Sequence, residues 1–184
     1  MFTVKINGEE RQYPQGTTYE EVANDYQKEY DNLIALAARD GKIRELFKKL
    51  TRDCEITFFT LKDDVGNKTY VRSATMLFLK AVFDVFGRDA VQSCRVEFAI
   101  GNGSYISPKG QIAATAENAE KIRDRMRELV EAKTPFLKRS YSLDNAMELF
   151  HREGMKDKEK LFRYRRGSFV NISEMDGYYD YYYG

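Results

Sequence analysis

The first twenty residues leave little freedom in how the chain begins to fold. Phe2-Thr3-Val4-Lys5-Ile6 alternates apolar and polar side chains, the period of a strand with one buried face. Asn7-Gly8 follows, and both residues tolerate the positive φ that a type I′ hairpin turn demands. Residues 10–13 form the returning strand, which Pro14 stops because proline has no N–H for a ladder. Gly16-Thr17-Thr18 then opens a helix. Thr17 with Glu20, or Thr18 with Glu21, has capping-box spacing, and Val22, Ala23 and Tyr26 face inward. Residues 33–37 read as a buried strand, Asp40-Gly41 as a turn and residues 54–61 as a β-rich run that closes the sheet. Hairpin, helix, then further strands make one small α+β unit over residues 1–62.

Residues 62–69 are polar and include Gly66-Asn67, so the boundary of a second unit over 70–184 is placed there. Ala74, Leu77, Phe78, Ala81, Val82 and Val85 share one helical face, which Gly87 ends. Residues 91–100 and 104–107 are β-rich and joined by Gly101-Asn102-Gly103, the pattern of a hairpin. Residues 115–132 form a charged helix with Ala119, Ile122, Met126, Leu129 and Val130 inward, and Pro135 marks its exit. A strand over 136–141 leads to Ser142, an N-cap for a helix through His151 and Arg152. Leu143, Ala146, Met147 and Phe150 form the inner face of that helix. A basic stretch, a strand over 168–172 and a tyrosine-rich end complete the chain. The fold class is α+β, in two small domains.

Composition narrows the function. Among 184 residues, 42% apolar and 14% aromatic side chains suffice to fill cores, which excludes disorder along the whole length. Thirty basic against twenty-nine acidic side chains leave a net charge of +1, which argues against a strongly basic nucleic-acid binder but allows a local basic patch. No apolar run has the length of a membrane span and the first residues lack a secretory core, so a cytoplasmic protein without a membrane partner is expected. Cys54 and Cys94 cannot build a disulfide scaffold, and both read as small buried apolar residues. A single histidine, His151, makes a zinc finger or a Ser-His-Asp site implausible; a surface or helix-end role fits it better.

The order of segments resembles a known pair of domains. The hairpin at Asn7-Gly8, Gly16-Thr17-Thr18, Ala37-Ala38-Arg39-Asp40-Gly41 and Ile56-Thr57-Phe58-Phe59-Thr60 are similar to a TGS domain, the ubiquitin-like β-grasp fold at the front of threonyl-tRNA synthetases. The helix from Ser73, the Gly101-Asn102-Gly103-Ser104-Tyr105 hairpin, the helix over 120–133 and Tyr164-Arg165-Arg166-Gly167-Ser168-Phe169-Val170 are similar to the second additional domain of those enzymes. In that family the second domain removes mischarged serine from tRNA with an H-x3-H pair and a C-x3-H pair. Here Arg72 and Met76 stand at the first pair, Ser173 and Gly177 at the second. None offers an imidazole or a thiol, so the editing chemistry is expected to be absent, with no catalytic residue and no metal ligand. No histidine is placed to activate Ser173.

Some bacterial uridine (nucleoside) kinases share this front end. Tyr70-Val71-Arg72-Ser73-Ala74-Thr75-Met76-Leu77-Phe78-Leu79-Lys80-Ala81 and the tyrosine-rich tail from Asp176 are similar to their segments. That resemblance implies a parent enzyme that phosphorylates uridine or cytidine with ATP and Mg²⁺. The chain lacks the G-x4-G-K-[ST] loop such a step needs, so it reads as cut before its kinase domain, with no cofactor of its own. The tyrosines at 178–183 would then be an interface for that kinase domain.

Two candidate sites follow. Arg72, Thr75, Asn102, Tyr105, Ser173 and Asp176 would line the former editing pocket and hold a nucleotide or RNA terminus. Arg72 there either pairs with a phosphate or carboxylate of a ligand, or makes an internal ion pair with Glu174 or Asp176. Lys160, Arg163, Arg165 and Arg166, with Phe162 and Tyr164 between or beside them, would hold phosphates and stack a base; the plainer reading is a solvated face balanced by Asp157 and Glu159. The chain is thus expected to be a non-catalytic ligand-binding or regulatory module of a uridine kinase, or alternatively an RNA-binding or editing-type module related to threonyl-tRNA synthetase.

Overall fold

β1 (Phe2–Ile6) and β2 (Glu9–Tyr13) pair antiparallel through a turn in which Asn7 and Gly8 have φ of 51° and 88°. Two successive left-handed residues are what a type I′ turn requires. The computed structural model describes residues 1–101, 103–108 and 112–182, which fall into two units, Met1–Arg72 and Ser73–Gly184. In the first, α1 (Tyr19–Tyr26) starts at Thr18. The Thr18 hydroxyl accepts the Glu21 N–H, and the Glu21 carboxylate accepts the Thr18 N–H at 2.7 Å. The capping box therefore uses Thr18 and Glu21, and those bonds hold the Glu21 pKa below the usual carboxylate value. Tyr19, Val22, Ala23 and Tyr26 bury their side chains among Val4, Ile6, Ala37, Ile56 and Phe58.

β3 (Ile34–Arg39), β4 (Lys42–Arg44) and β5 (Cys54–Thr60) complete a sheet of order β2-β1-β5-β3-β4. β1 runs parallel to β5 and the other pairs are antiparallel, the β-grasp arrangement expected from hairpin, helix and strands. Residues 64–69, within the polar stretch where the domain boundary was placed, are the first turns of α2 (Asp64–Phe86), a helix of 23 residues. Gly66 misled the sequence reading. A Cβ there would sit 2.0 Å from the carbonyl oxygen of Thr60, so this glycine marks a close backbone approach and not a turn.

In the second unit Gly87, at φ 86°, ends α2, and α3 (Arg88–Ser93) takes the place of an early strand. β6 (Cys94–Ile100) and β7 (Gly103–Pro108) form the expected hairpin, with an irregular register between Val96 and Phe98. Thr115 caps α4 (Ala116–Glu131), which buries Ile122 and Leu129; Ala119 and Val130, expected inward, are exposed. β8 (Leu137–Ser142) leads into α5 (Leu143–Arg152), capped by the Ser142 hydroxyl, and α6 (Lys156–Arg163) follows. β9 (Phe169–Met175) and β10 (Tyr178–Asp180) finish an antiparallel sheet of order β10-β9-β8.

This unit has two cores. One gathers Met76, Leu79 and Val82 of α2 with Val91, Ile122, Leu129 and Tyr178, and Tyr182 packs against it. The other joins Leu149 and Phe150 of α5 with Phe162, Val170, Ile172 and Tyr181, and Tyr179 packs against it. Tyr178 and Tyr181 are thus interior packing residues, and Tyr179 and Tyr182 are half-buried against the two cores. Sequence reading missed this because a tyrosine run has no period that says which side is wet. Among the described residues no helix is long and apolar enough to cross a membrane.

Candidate functional site

Of the six residues expected around the former editing pocket, five are described, and they do not line one cleft together. Arg72 is exposed, with its guanidinium 3.4 Å from the Thr69 hydroxyl. The carboxylates expected to pair with it have other partners: Glu174 lies 3.4 Å from Arg139, and Asp176 lies 3.2 Å from Lys80. Ser173 is half-buried in β9, opposite Lys138 and Asp180. Asp176, at φ 43°, forms the β9–β10 turn with Gly177. Tyr105 of β7 stacks on Phe98 at 5.2 Å with both rings exposed. Asn102 lies outside the described residues. Met76, at the second position of the first editing pair, is a core side chain. Of the five described residues, Thr75 alone lines the cleft of about 600 Å³ beside α2.

The turn at Asp176 has an anchor that sequence reading overlooked. Lys80 lies inside α2 at 2% exposure, bonded to Asp84 at 2.8 Å and to the Asp176 carbonyl at 2.7 Å. Arg125 of α4 donates to the same Asp84 at 2.9 Å and to Glu128 at 2.8 Å. A lysine four residues before an aspartate within an apolar helix face was the available signal.

A cleft of about 600 Å³ lies among α2, the α3–β6 segment, the α5–α6 turn and the tail. Leu79, Phe83, Val91 and Tyr178 contribute apolar walls. Asp180 is buried there, accepting the Tyr181 N–H at 2.7 Å and the Tyr178 hydroxyl at 3.3 Å, with Lys158 at 3.3 Å. Burial, and then the charge of Asp180, push the phenol pKa values of Tyr178 and Tyr182 well above normal, so both keep their protons. The Tyr182 hydroxyl is buried with no hydrogen-bond partner at good geometry among the described residues.

The basic stretch forms a second, shallower cleft of about 350 Å³ between α5 and α6. Helical spacing carries Lys156, Lys160 and Tyr164 along one side, and His151 of α5 faces them with Arg163. Glu159 is the acidic member; its carboxylate meets Arg163 at 2.6 Å and His151 Nδ1 at 3.1 Å, which lowers its pKa. Tyr164 is 79% exposed, whereas Phe162 is fully buried in the second core and cannot stack a base as expected. Arg165 bonds the Tyr181 hydroxyl and sits over its ring, so of the four candidate cations Lys160 and Arg163 share the cleft, while Arg165 and Arg166 do not line it. The four-residue repeat of Lys156, Lys160 and Tyr164 is the signal that would have identified this face as a helix.

Burial raises the thiol pKa of both Cys54 and Cys94, which keeps them protonated at neutral pH. Among the described residues no three His, Cys, Asp or Glu side chains converge as a metal site.

No protein family's sequence profile matches the chain. Curated relatives are threonine–tRNA ligases. That of Carboxydothermus hydrogenoformans is 26% identical over 183 residues, 94% of this chain and 28% of the relative. That of Thermotoga petrophila is 25% identical over 177 residues, 90% of this chain and 27% of the relative. That of Agrobacterium fabrum is 30% identical over 155 residues, 84% of this chain and 23% of the relative. The chain spans about a quarter of the length of these relatives. The similarity runs through both units, whereas the kinase parentage implied by the sequence resemblance has no support among these relatives. The chain is similar to a portion of threonine–tRNA ligases.

Proposed function

We propose that this chain is a tRNA-associated module that binds RNA through the cleft between α5 and α6 and does not hydrolyse an aminoacyl ester. The observation that carries this reading is the gathering of His151, Lys156, Lys160 and Arg163 beside the exposed ring of Tyr164. Cations beside an accessible aromatic ring suit a phosphate backbone with an unstacked base. Similarity to ligases that act on tRNA supports the choice of RNA. Hydrolysis lacks its groups: Met76 is core, Gly177 is a turn residue, and the one histidine is engaged by Glu159.

The test is fluorescence anisotropy with unfractionated tRNA across a salt series, together with deacylation of seryl-tRNA. Affinity falls as salt rises, and Lys160→Ala reduces the slope of log K on log salt by about 1. Seryl-tRNA survives at the uncatalysed rate. No binding at low salt, or binding indifferent to Lys160→Glu, overturns the RNA reading. Turnover of seryl-tRNA overturns the non-hydrolytic one.

A further inference from the structure

We infer that the α5–α6 cleft accepts one unpaired RNA strand and turns a duplex away, with Glu159 as the residue that sets this preference; the inference rests on the RNA reading above and deepens it. α6 presents two neighbouring rows to the cleft, each at four-residue spacing. The first row holds Lys156, Lys160 and, at the helix C-cap, Tyr164. It spans about 12 Å of helix axis, the length of a few nucleotides of one strand. Both lysines are exposed, and neither has a carboxylate partner among the described residues: Asp157 and Asp180 lie beside Lys158, and Glu159 is engaged elsewhere. The second row holds Glu159 and Arg163, with His151 of α5 against it. The Glu159 carboxylate, only 18% exposed, meets Arg163 at 2.6 Å and His151 Nδ1 at 3.1 Å, and those bonds keep it ionised. This row therefore offers little free positive charge. One row of free cations neutralises one phosphate backbone. A duplex brings two, and its second backbone would meet cations that a carboxylate already occupies. Tyr164 points to the same choice. It is 79% exposed, and its ring face stacks only on a base that has left its own stack, whereas a duplex presents base edges. Discrimination comes from charge left unmet on the competitor.

The experiment is fluorescence anisotropy of the whole chain with a labelled ten-nucleotide oligouridine, a blunt RNA duplex of the same length and unfractionated tRNA, at matched salt. The oligouridine binds at least about tenfold more tightly than the duplex. Tyr164→Ala weakens the oligouridine at least about fivefold and leaves its salt slope unchanged, while Lys156→Ala lowers that slope by about 0.7, the share of one phosphate on a single strand. Glu159→Gln releases Arg163 and His151, and duplex affinity rises at least about tenfold while the oligouridine gains less than about threefold. Because Glu159 joins α5 to α6, a second variant covers the case in which that one unfolds. His151→Lys changes a side chain that is 77% exposed, adds a permanent charge to the same row and moves duplex affinity the same way. Oligouridine and duplex binding alike, oligouridine indifferent to Tyr164→Ala, or duplex affinity unmoved by the folded variants each overturns the inference, while tRNA binding leaves the RNA reading standing. Failure of both tRNA and oligouridine to bind at low salt removes that reading and the inference with it.

Discussion

Lys80 and Asp176 are 96 residues apart, yet the ammonium of one donates to the main-chain carbonyl of the other at 2.7 Å. The contact ties the β9–β10 turn to the middle of α2, with Asp84 and the ring of Phe83 completing the ammonium's surroundings. Removing a buried cation strands its partners in a medium that solvates them poorly. Lys80→Ala is expected to lower unfolding free energy by about 3 kcal/mol. Lys80→Met keeps the volume and is expected to cost less. Urea denaturation checks both; a loss below about 1 kcal/mol for the alanine variant would show that the contact is incidental.

The tail tyrosines act inside the fold, so their substitution is read in stability. Tyr178→Ala and Tyr181→Ala each are expected to cost about 3–5 kcal/mol, one from each core. Tyr178→Phe keeps the ring and gives up a bond to Asp180, an expected loss of about 1 kcal/mol. Thermal melts distinguish this from a docking role, in which the alanine variants would melt like the parent chain.

Gly66→Ala places a methyl group against the Thr60 carbonyl at 2.0 Å, a clash with main chain that no rotamer relieves. Separation of α2 from the end of β5 is the only relief, and the expected destabilisation is about 3 kcal/mol, the upper end for overpacking. A variant as stable as the parent would mean that helix and strand are not held so close.

Alkaline pH is expected to loosen the first unit through Tyr13. Burial and a 3.1 Å hydrogen bond to Asp25 push its pKa up to about 12. A phenol held protonated in the folded state contributes stability that is complete below its unfolded pKa, about 10. That contribution is lost as pH climbs through the folded value. Unfolding free energy should therefore decline between about pH 10 and pH 12, and less steeply in Tyr13→Phe. Parallel pH profiles for the two proteins would remove the assignment.

Legibility followed locality. The Asn7-Gly8 turn and the Ser142 cap sit where the sequence places them, and Thr18 with Glu21 is one of the two capping boxes it offered, each a device complete within three residues. Gly66 has the same composition cue as a turn glycine but answers to a neighbour six residues back in another element, which no local pattern encodes. The basic stretch was recognised as charge but not as a helix, because its apolar residues reduce to Leu161 and Phe162, too short a signal against six charged neighbours. The positions that the resemblance sets against the editing pairs were legible as departures from that pattern, but their surroundings were not, since the partners of Asp176 and Glu174 come from α2 and β8.

The strand from Tyr178 to Asp180 and the two tyrosines after it also set when the second unit can finish folding. Side chains at its odd and even ends complete different cores, and both remain unfilled until these residues are present. During synthesis, the helices of this unit emerge long before the strand that closes it. A ribosome-bound chain stopped at Asp176 therefore exposes two hydrophobic interiors at once, the condition in which nascent proteins recruit chaperones.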